Sequence, residues 1–149
     1  MSDEYGDTVV DNIQVARYAL RTFAIRDGNL ESVIQRGGGH WTEGVCVAHC
    51  LAHPDHVAPE ADCRCGIYGA LTLGVLQRQY QEFTCRIVTV IAAEGKTMLG
   101  TIGLRTAAAR VVAYWCTEGR EDAAICAQQF PDARRFFDAV VMARLYRMS

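Results

Sequence analysis

Cys50, His53, His56, Cys63 and Cys65 fall within sixteen residues, 50–65. Thiolate and imidazole at that density are the donors of a four-coordinate zinc site. Two thiolates one residue apart can reach one ion when the backbone folds tightly around it. Gly66, directly after Cys65, permits such a turn and leaves amides free to point at the sulfurs. Pro54 and Pro59 stiffen the intervening loop and lower the entropy lost on closing it. Cys50, His56, Cys63 and Cys65 then make a tetrahedral set, for which sulfur ligation selects zinc over harder ions. His53 competes with His56 for the imidazole position, and His49 and Cys46 are further candidates. The bland alternative is a set of loop histidines and buried thiols, and Cys63-Arg64-Cys65-Gly66 weighs against it. A closed shell of three cysteines and one histidine leaves the metal no position for chemistry. The expectation is one structural zinc per chain, with no catalytic residue and no organic cofactor.

Other chemistries find less support. Zinc deaminases need His-x-Glu and Pro-Cys-x-x-Cys segments, and zincin proteases His-Glu-x-x-His; none of these is present. Glu60 and Asp62 would serve as a base only beside an open zinc, and as loop carboxylates they are expected to be solvated. Gly95-Lys96-Thr97 lacks the preceding glycine of a phosphate loop and reads as a hairpin turn. Cys85 beside Arg86 has the cation that lowers a thiol pKa, although a strand thiol at the core edge is the simpler reading. Arg105 and Arg110 straddle a tight segment and suggest a small anion- or partner-binding patch. The competing view makes them outward strand residues with salt partners. Trp41 and Trp115 sit next to apolar strand residues and read as core, and His40 after Gly39 reads as a surface residue.

The 149 residues suit one domain, half of them hydrophobic and 21% charged, as in ordinary globular proteins. The net charge is −2 and Lys96 is the only lysine, so the basic surplus of a phosphate-neutralising DNA binder is missing. The acidic start, Met1-Ser2-Asp3-Glu4, is unlike an export signal, and no apolar run reaches membrane-spanning length. Seven cysteines is an odd number. Cys46, Cys85, Cys116 and Cys126 have apolar neighbours, as small buried thiols do, which favours a reducing cytoplasm over a disulfide framework.

These residues must be positioned by short strands and a few helices. Residues 1–12 read as a disordered tail and 13–149 as one zinc-stabilised α+β domain with a C-terminal helical extension, 120–149. The segment 15–25 reads as a strand, Asp27-Gly28 as a hairpin turn and 29–35 as the return strand. Gly37-Gly38-Gly39 is a break, followed by a short strand through Val45 and Val47. Leu73, Leu76, Tyr80 and Phe83 have helical spacing within 71–83. Residues 86–93 read as a buried strand, 94–96 as a turn, 98–105 and 108–116 as two further strands, and 121–129 as a helix. Pro131 suits the first turn of a last helix bearing Phe136, Phe137, Val140, Val141 and Leu145. The fold expected is α+β: a curled antiparallel sheet or small partly open β-barrel, with a zinc loop and C-terminal helices.

Ala48-x-Cys50, His56-x-Ala58-Pro59 and Cys63-x-Cys65-Gly66-Ile67-Tyr68 together resemble a family of small, uncharacterised proteins of actinobacteria and their phages. Asp27-Gly28 followed by Leu30-x-Ser32, Trp41 before the first cysteine, and the run from Gly103 through Arg105 to Arg110 look like the same family. The resemblance covers about 17–115 and is most specific at Cys63-x-Cys65-Gly66-Ile67-Tyr68. It implies His56 rather than His53 as the fourth ligand, and it departs at Gly69, where alanine is expected. It implies no reaction. The expectation is therefore a non-enzymatic, cytoplasmic binding module, an actinobacterial or phage accessory protein that binds a host protein. A protein partner or self-association would use the C-terminal helix. Nucleic-acid binding through Arg17, Arg21, Arg105, Arg110 and the C-terminal arginines is the first alternative, and a hydrolase with an open zinc position the second. No membrane role is expected.

Overall fold

The computed structural model describes residues 4–6, 8–10, 17–33 and 40–149. Val15, Gln35 and the Gly37-Gly38-Gly39 break lie outside the described residues. The scaffold is one long hairpin, β7 (Ile87–Leu99) against β8 (Gly103–Cys116), to which shorter strands are added on both sides. β2 (Arg17–Arg21) runs antiparallel to β7, and β1 (Thr8–Val10) pairs with its far end. β5 (Val45–Val47) and β6 (Ile67–Ala70) both run antiparallel to β8. β2 and β6 meet at the single pair Leu20–Ala70, so the sheet curls without closing into a barrel. The expected α+β class, with its curled antiparallel sheet and C-terminal helices, is what the chain adopts.

Ile87-Val88-Thr89-Val90-Ile91 is buried throughout because both faces of this part of the sheet are covered. Ile87 and Ile91 join Phe23, Val111, Tyr114, Cys126 and Phe130, on the side of α3 (Arg120–Gln129). Val88 and Val90 join Leu73, Leu76, Phe136 and Met142, on the side of α1 (Leu73–Gln79) and α4 (Ala139–Leu145). The predicted hairpin forms as β3 (Phe23–Arg26) and β4 (Asn29–Ser32), with Asp27 at φ 53° and Gly28 at φ 76°.

Several boundaries differ from the sequence reading. The first twelve residues, expected to be a disordered tail, hold β1, which covers an otherwise open edge of β7 at 97–99. The 15–25 strand divides at Thr22, whose hydroxyl donates to the Ile87 carbonyl as the chain passes from the main sheet to the β3–β4 hairpin. Residues 94–96 are not a hairpin turn. Gly95, at φ 75°, absorbs a bulge, and the ladder resumes at Thr97 opposite Thr106. The chain reverses at 100–102 instead, so 98–105 and 108–116 are parts of one hairpin.

The 71–83 helix is interrupted. Tyr80 leaves helical geometry after α1, and α2 (Gln81–Thr84) carries the chain back toward β7. Pro131 follows the end of α3 and begins no helix. Residues 134–136 form β9 (Arg134–Phe136), parallel to β8 at 113–115, and α4 starts only after Asp138. Phe136 is accordingly a buried strand residue. The C-terminal extension is part of the core: Met142, Ala143 and Met148 are buried, and the Met148 carbonyl accepts from the Leu73 amide at 2.9 Å.

Candidate metal centre

The loop that carries the cysteines is an excursion from a single line of strand pairing. β5 runs along β8 from Arg110 to Ala108, and the Ala48 amide continues to the Ala107 carbonyl at 2.8 Å. β6 resumes at the next rung, Ile67 opposite Thr106, in the same direction. The chain thus leaves β8 after Ala48 and returns at Ile67, with its neck held at adjacent rungs. Cys50 sits two residues beyond one side of that neck and Cys65 two residues before the other. A loop of this length costs closure entropy, and an ion joining its two limbs offsets part of that cost.

Cys50, His56, Cys63 and Cys65 place one donor atom each within 4.8 Å of one another. The Sγ atoms of Cys50 and Cys63 are 3.6 Å apart. Two sulfurs on a tetrahedral ion at zinc–thiolate bond lengths of about 2.3 Å would lie about 3.8 Å apart, so the spacing fits. Nδ1 of His56 is sealed from solvent and has no hydrogen-bond partner among the described residues, as expected of a nitrogen whose partner is an ion. His53 lies alongside, its ring stacked on His56 at 4.5 Å and its Nδ1 4.0 Å from the sulfurs of both Cys50 and Cys63. The Cys/His cluster could hold a metal ion.

Tight turns and aimed amides build the cluster. The His56 amide donates to His53 and the Cys63 amide to Glu60, at 2.9 and 3.1 Å. The amide of Cys65 points at the Cys63 sulfur and, helped by His53 and Cys50, draws that thiol down to about 6. Burial pushes the Cys65 thiol up to about 11, against a hydrogen bond from the Glu60 backbone. Gly66 has φ 123°, and a Cβ there would stand 3.2 Å from both Arg105 and Pro59, so the turn needs glycine.

Arg105 is the residue whose role the sequence concealed. Its side chain is buried, and its Nη1 donates to the carbonyls of Cys63 and, at 3.0 Å, Cys65. Its Nε and Nη2 donate to the Gly6 carbonyl at 3.3 and 3.2 Å. One guanidinium therefore joins the Cys63–Cys65 turn, the hairpin and the N-terminal segment. Neither the outward-facing reading nor the anion patch with Arg110 holds for it. Arg110 is exposed and lies 3.7 Å from Glu94. The only sequence signal was a charge set among small and apolar strand residues.

The remaining candidates separate from the cluster. Cys46 is buried in the core, while His49 and His40 are exposed. Glu60 lies 3.7 Å from Lys96, and Asp62 is exposed. Cys85, expected at the core edge, is exposed after α2 and bonded to the Glu82 carbonyl at 3.1 Å. Its neighbour Arg86 is engaged with Asp122 instead of being held on that thiol. Trp41 and Trp115 pack against the two core clusters as expected.

Compared with known proteins, the chain matches no family model, no curated protein and no solved structure. Among the described residues, no helix is long and apolar enough to cross a membrane.

Proposed function

We propose that this chain is a non-enzymatic binding module of the cytoplasm, stabilised by one structural zinc held by Cys50, His56, Cys63 and Cys65. The observation that carries the zinc reading is the donor set itself: three sulfurs and one unpartnered, sealed imidazole nitrogen within 4.8 Å of one another, two of the sulfurs at 3.6 Å. Such a shell is full, which supports a structural over a catalytic ion. The free state of all seven cysteines accords with a reducing compartment. The resemblance around Cys63-x-Cys65-Gly66-Ile67-Tyr68 supports an origin among actinobacterial or phage accessory proteins, acting on a host protein.

The binding role rests on the C-terminal element. Phe137, Val140, Val141 and Leu145 are exposed by 69, 46, 50 and 57%, on and just before one short helix. Apolar groups gathered this way mark interaction surfaces in soluble proteins. The nucleic-acid alternative loses ground because Arg105 is buried, Arg110 faces Glu94, and Arg134 and Arg135 lie over Phe136 and Phe137.

Cobalt substitution tests the metal reading. A tetrahedral, thiolate-rich spectrum that azide and phosphate leave unchanged is expected. A spectrum shifted by either anion would reveal an open coordination position and favour the hydrolase. Native mass spectrometry of a folded, metal-free chain would refute the site.

A further inference from the structure

A cleft of about 1400 Å³ runs beside the metal loop, with Cys50, Cys63 and Cys65 on its lining. Much of its wall is apolar, supplied by Leu20, Leu30, Trp41, Ile67, Leu76 and Tyr80. Arg21, from β2, also lines it. The Arg21 guanidinium donates to the Tyr68 carbonyl at 2.8 Å and the Ser32 hydroxyl at 3.0 Å, both uncharged acceptors. Its Nε is sealed from solvent and has no acceptor among the described residues. The rings of Trp41 and Phe23 lie 5.3 and 5.4 Å from the guanidinium carbon and fix its plane. Desolvation pulls the Arg21 pKa below its ordinary value, as for a cation short of a counter-charge.

Among the described residues Glu31 is the one carboxylate on the lining, and it lies 3.5 Å from Arg26; the Cys50, Cys63 and Cys65 thiols also line the cleft, their charge shared with the ion the cluster could hold. Arg64 adds a second positive charge, and His40 and His49 add imidazoles. A desolvated cation whose satisfied donors face only neutral oxygens favours an anion at its remaining donors. The hydrogens of the two terminal nitrogens not used by Tyr68 and Ser32 are the donors left for a carboxylate or phosphate in the cleft. The apolar walls suit an organic body behind that head group.

We propose that this cleft binds a small amphipathic anion, a carboxylate or phosphate head on an aromatic or aliphatic body, with Arg21 as its anchor and Trp41 as a flanking wall. The site is separate from the α4 surface, and the metal loop supplies one of its walls.

The test uses the full metal-loaded chain and follows the Arg21 Nε–H resonance by NMR, assigned by its loss in Arg21→Lys. Benzoate and phenyl phosphate are expected to shift it saturably. Acetate and inorganic phosphate should bind more weakly, and neutral benzamide should give no shift. Arg21→Lys should weaken benzoate binding, read by Trp41 emission in a Trp115→Phe background, on the order of tenfold or more. Arg64→Gln should change it little. Trp41→Leu leaves Arg21 in place and should reduce the preference for benzoate over acetate, read by NMR, which keeps the test open if Arg21→Lys folds poorly. Equal responses to benzamide and benzoate, no saturable response to either aromatic anion, or an unchanged preference in Trp41→Leu would each overturn the proposal.

Discussion

At the scale of single residues, the two thiols of the Cys63-x-Cys65 turn are set apart: one is held down to about 6 and the other pushed up to about 11. Zinc needs both as thiolates, so loading at neutral pH should expel a proton from Cys65. Calorimetry in two buffers of different ionisation enthalpy is expected to detect that release. Cys63 has a depressed pKa, so its contribution is present above the ordinary thiol range and is lost as pH falls through about 6. Zinc release followed with a colorimetric chelator should therefore set in only below that pH, because coordination holds the thiolate against protonation.

Cys63→Ser should abolish zinc and, with structural zinc contributing on the order of 10 kcal/mol in small domains, leave insoluble or unfolded protein. Metal analysis of His56→Ala and His53→Ala separates the histidines: loss in the first and retention in the second is expected. Arg105→Lys keeps the charge but cannot span three carbonyls. A loss of about 1–3 kcal/mol in thermal or urea unfolding is expected, together with weaker zinc retention.

At the scale of elements, close strand crossings set requirements that pattern alone does not reveal. Gly69 looks like a departure where alanine would be ordinary. Yet a Cβ there would lie 2.6 Å from the Ala19 Cβ and 3.2 Å from Ile91. Gly69→Ala should therefore destabilise by about 1–3 kcal/mol, measured by urea unfolding, because β2 and β6 would be pushed apart at their one pairing rung. The short α4 depends on its cap. The Asp138 carboxylate accepts from the amides of Val140 and Val141 at 2.8 and 3.1 Å, and Asp138→Ala should cost about 1 kcal/mol in the same assay.

At the scale of the whole molecule, the sheet is covered on both faces and the C-terminal segment completes one of those covers. Removing everything after Phe130 would strip Phe136, Met142 and Ala143 from the core, so truncation confounds folding with association. Surface substitution avoids this. Val141→Asp combined with Leu145→Asp leaves the buried side of α4 intact. Light scattering is expected to show association of the native chain, or capture of a protein partner, that the double variant loses. A native chain that stays monomeric at high concentration and binds no partner would leave that surface without a role.

The sequence by itself pointed to Cys50, His56, Cys63 and Cys65, the four residues that the fold gathers into a cluster that could hold a metal ion. Cysteine, histidine and glycine at those spacings have few other uses, and a loop's ligands lie close in the chain. It also determined the Asp27-Gly28 hairpin and the fully apolar strand at 87–91, where local backbone preference and burial agree. Only the tertiary structure decided which elements end where. A bulge at Gly95 and a turn at 100–102 have similar local signals, and pairing across β8 chooses between them. Pro131 and the residues after it accept helix or strand until the free edge of β8 recruits β9. The inward roles of Arg105 and Arg21 were hidden for the same reason. Whether a strand arginine faces water or is buried depends on what the rest of the chain packs against it, and that contact lies up to 99 residues away.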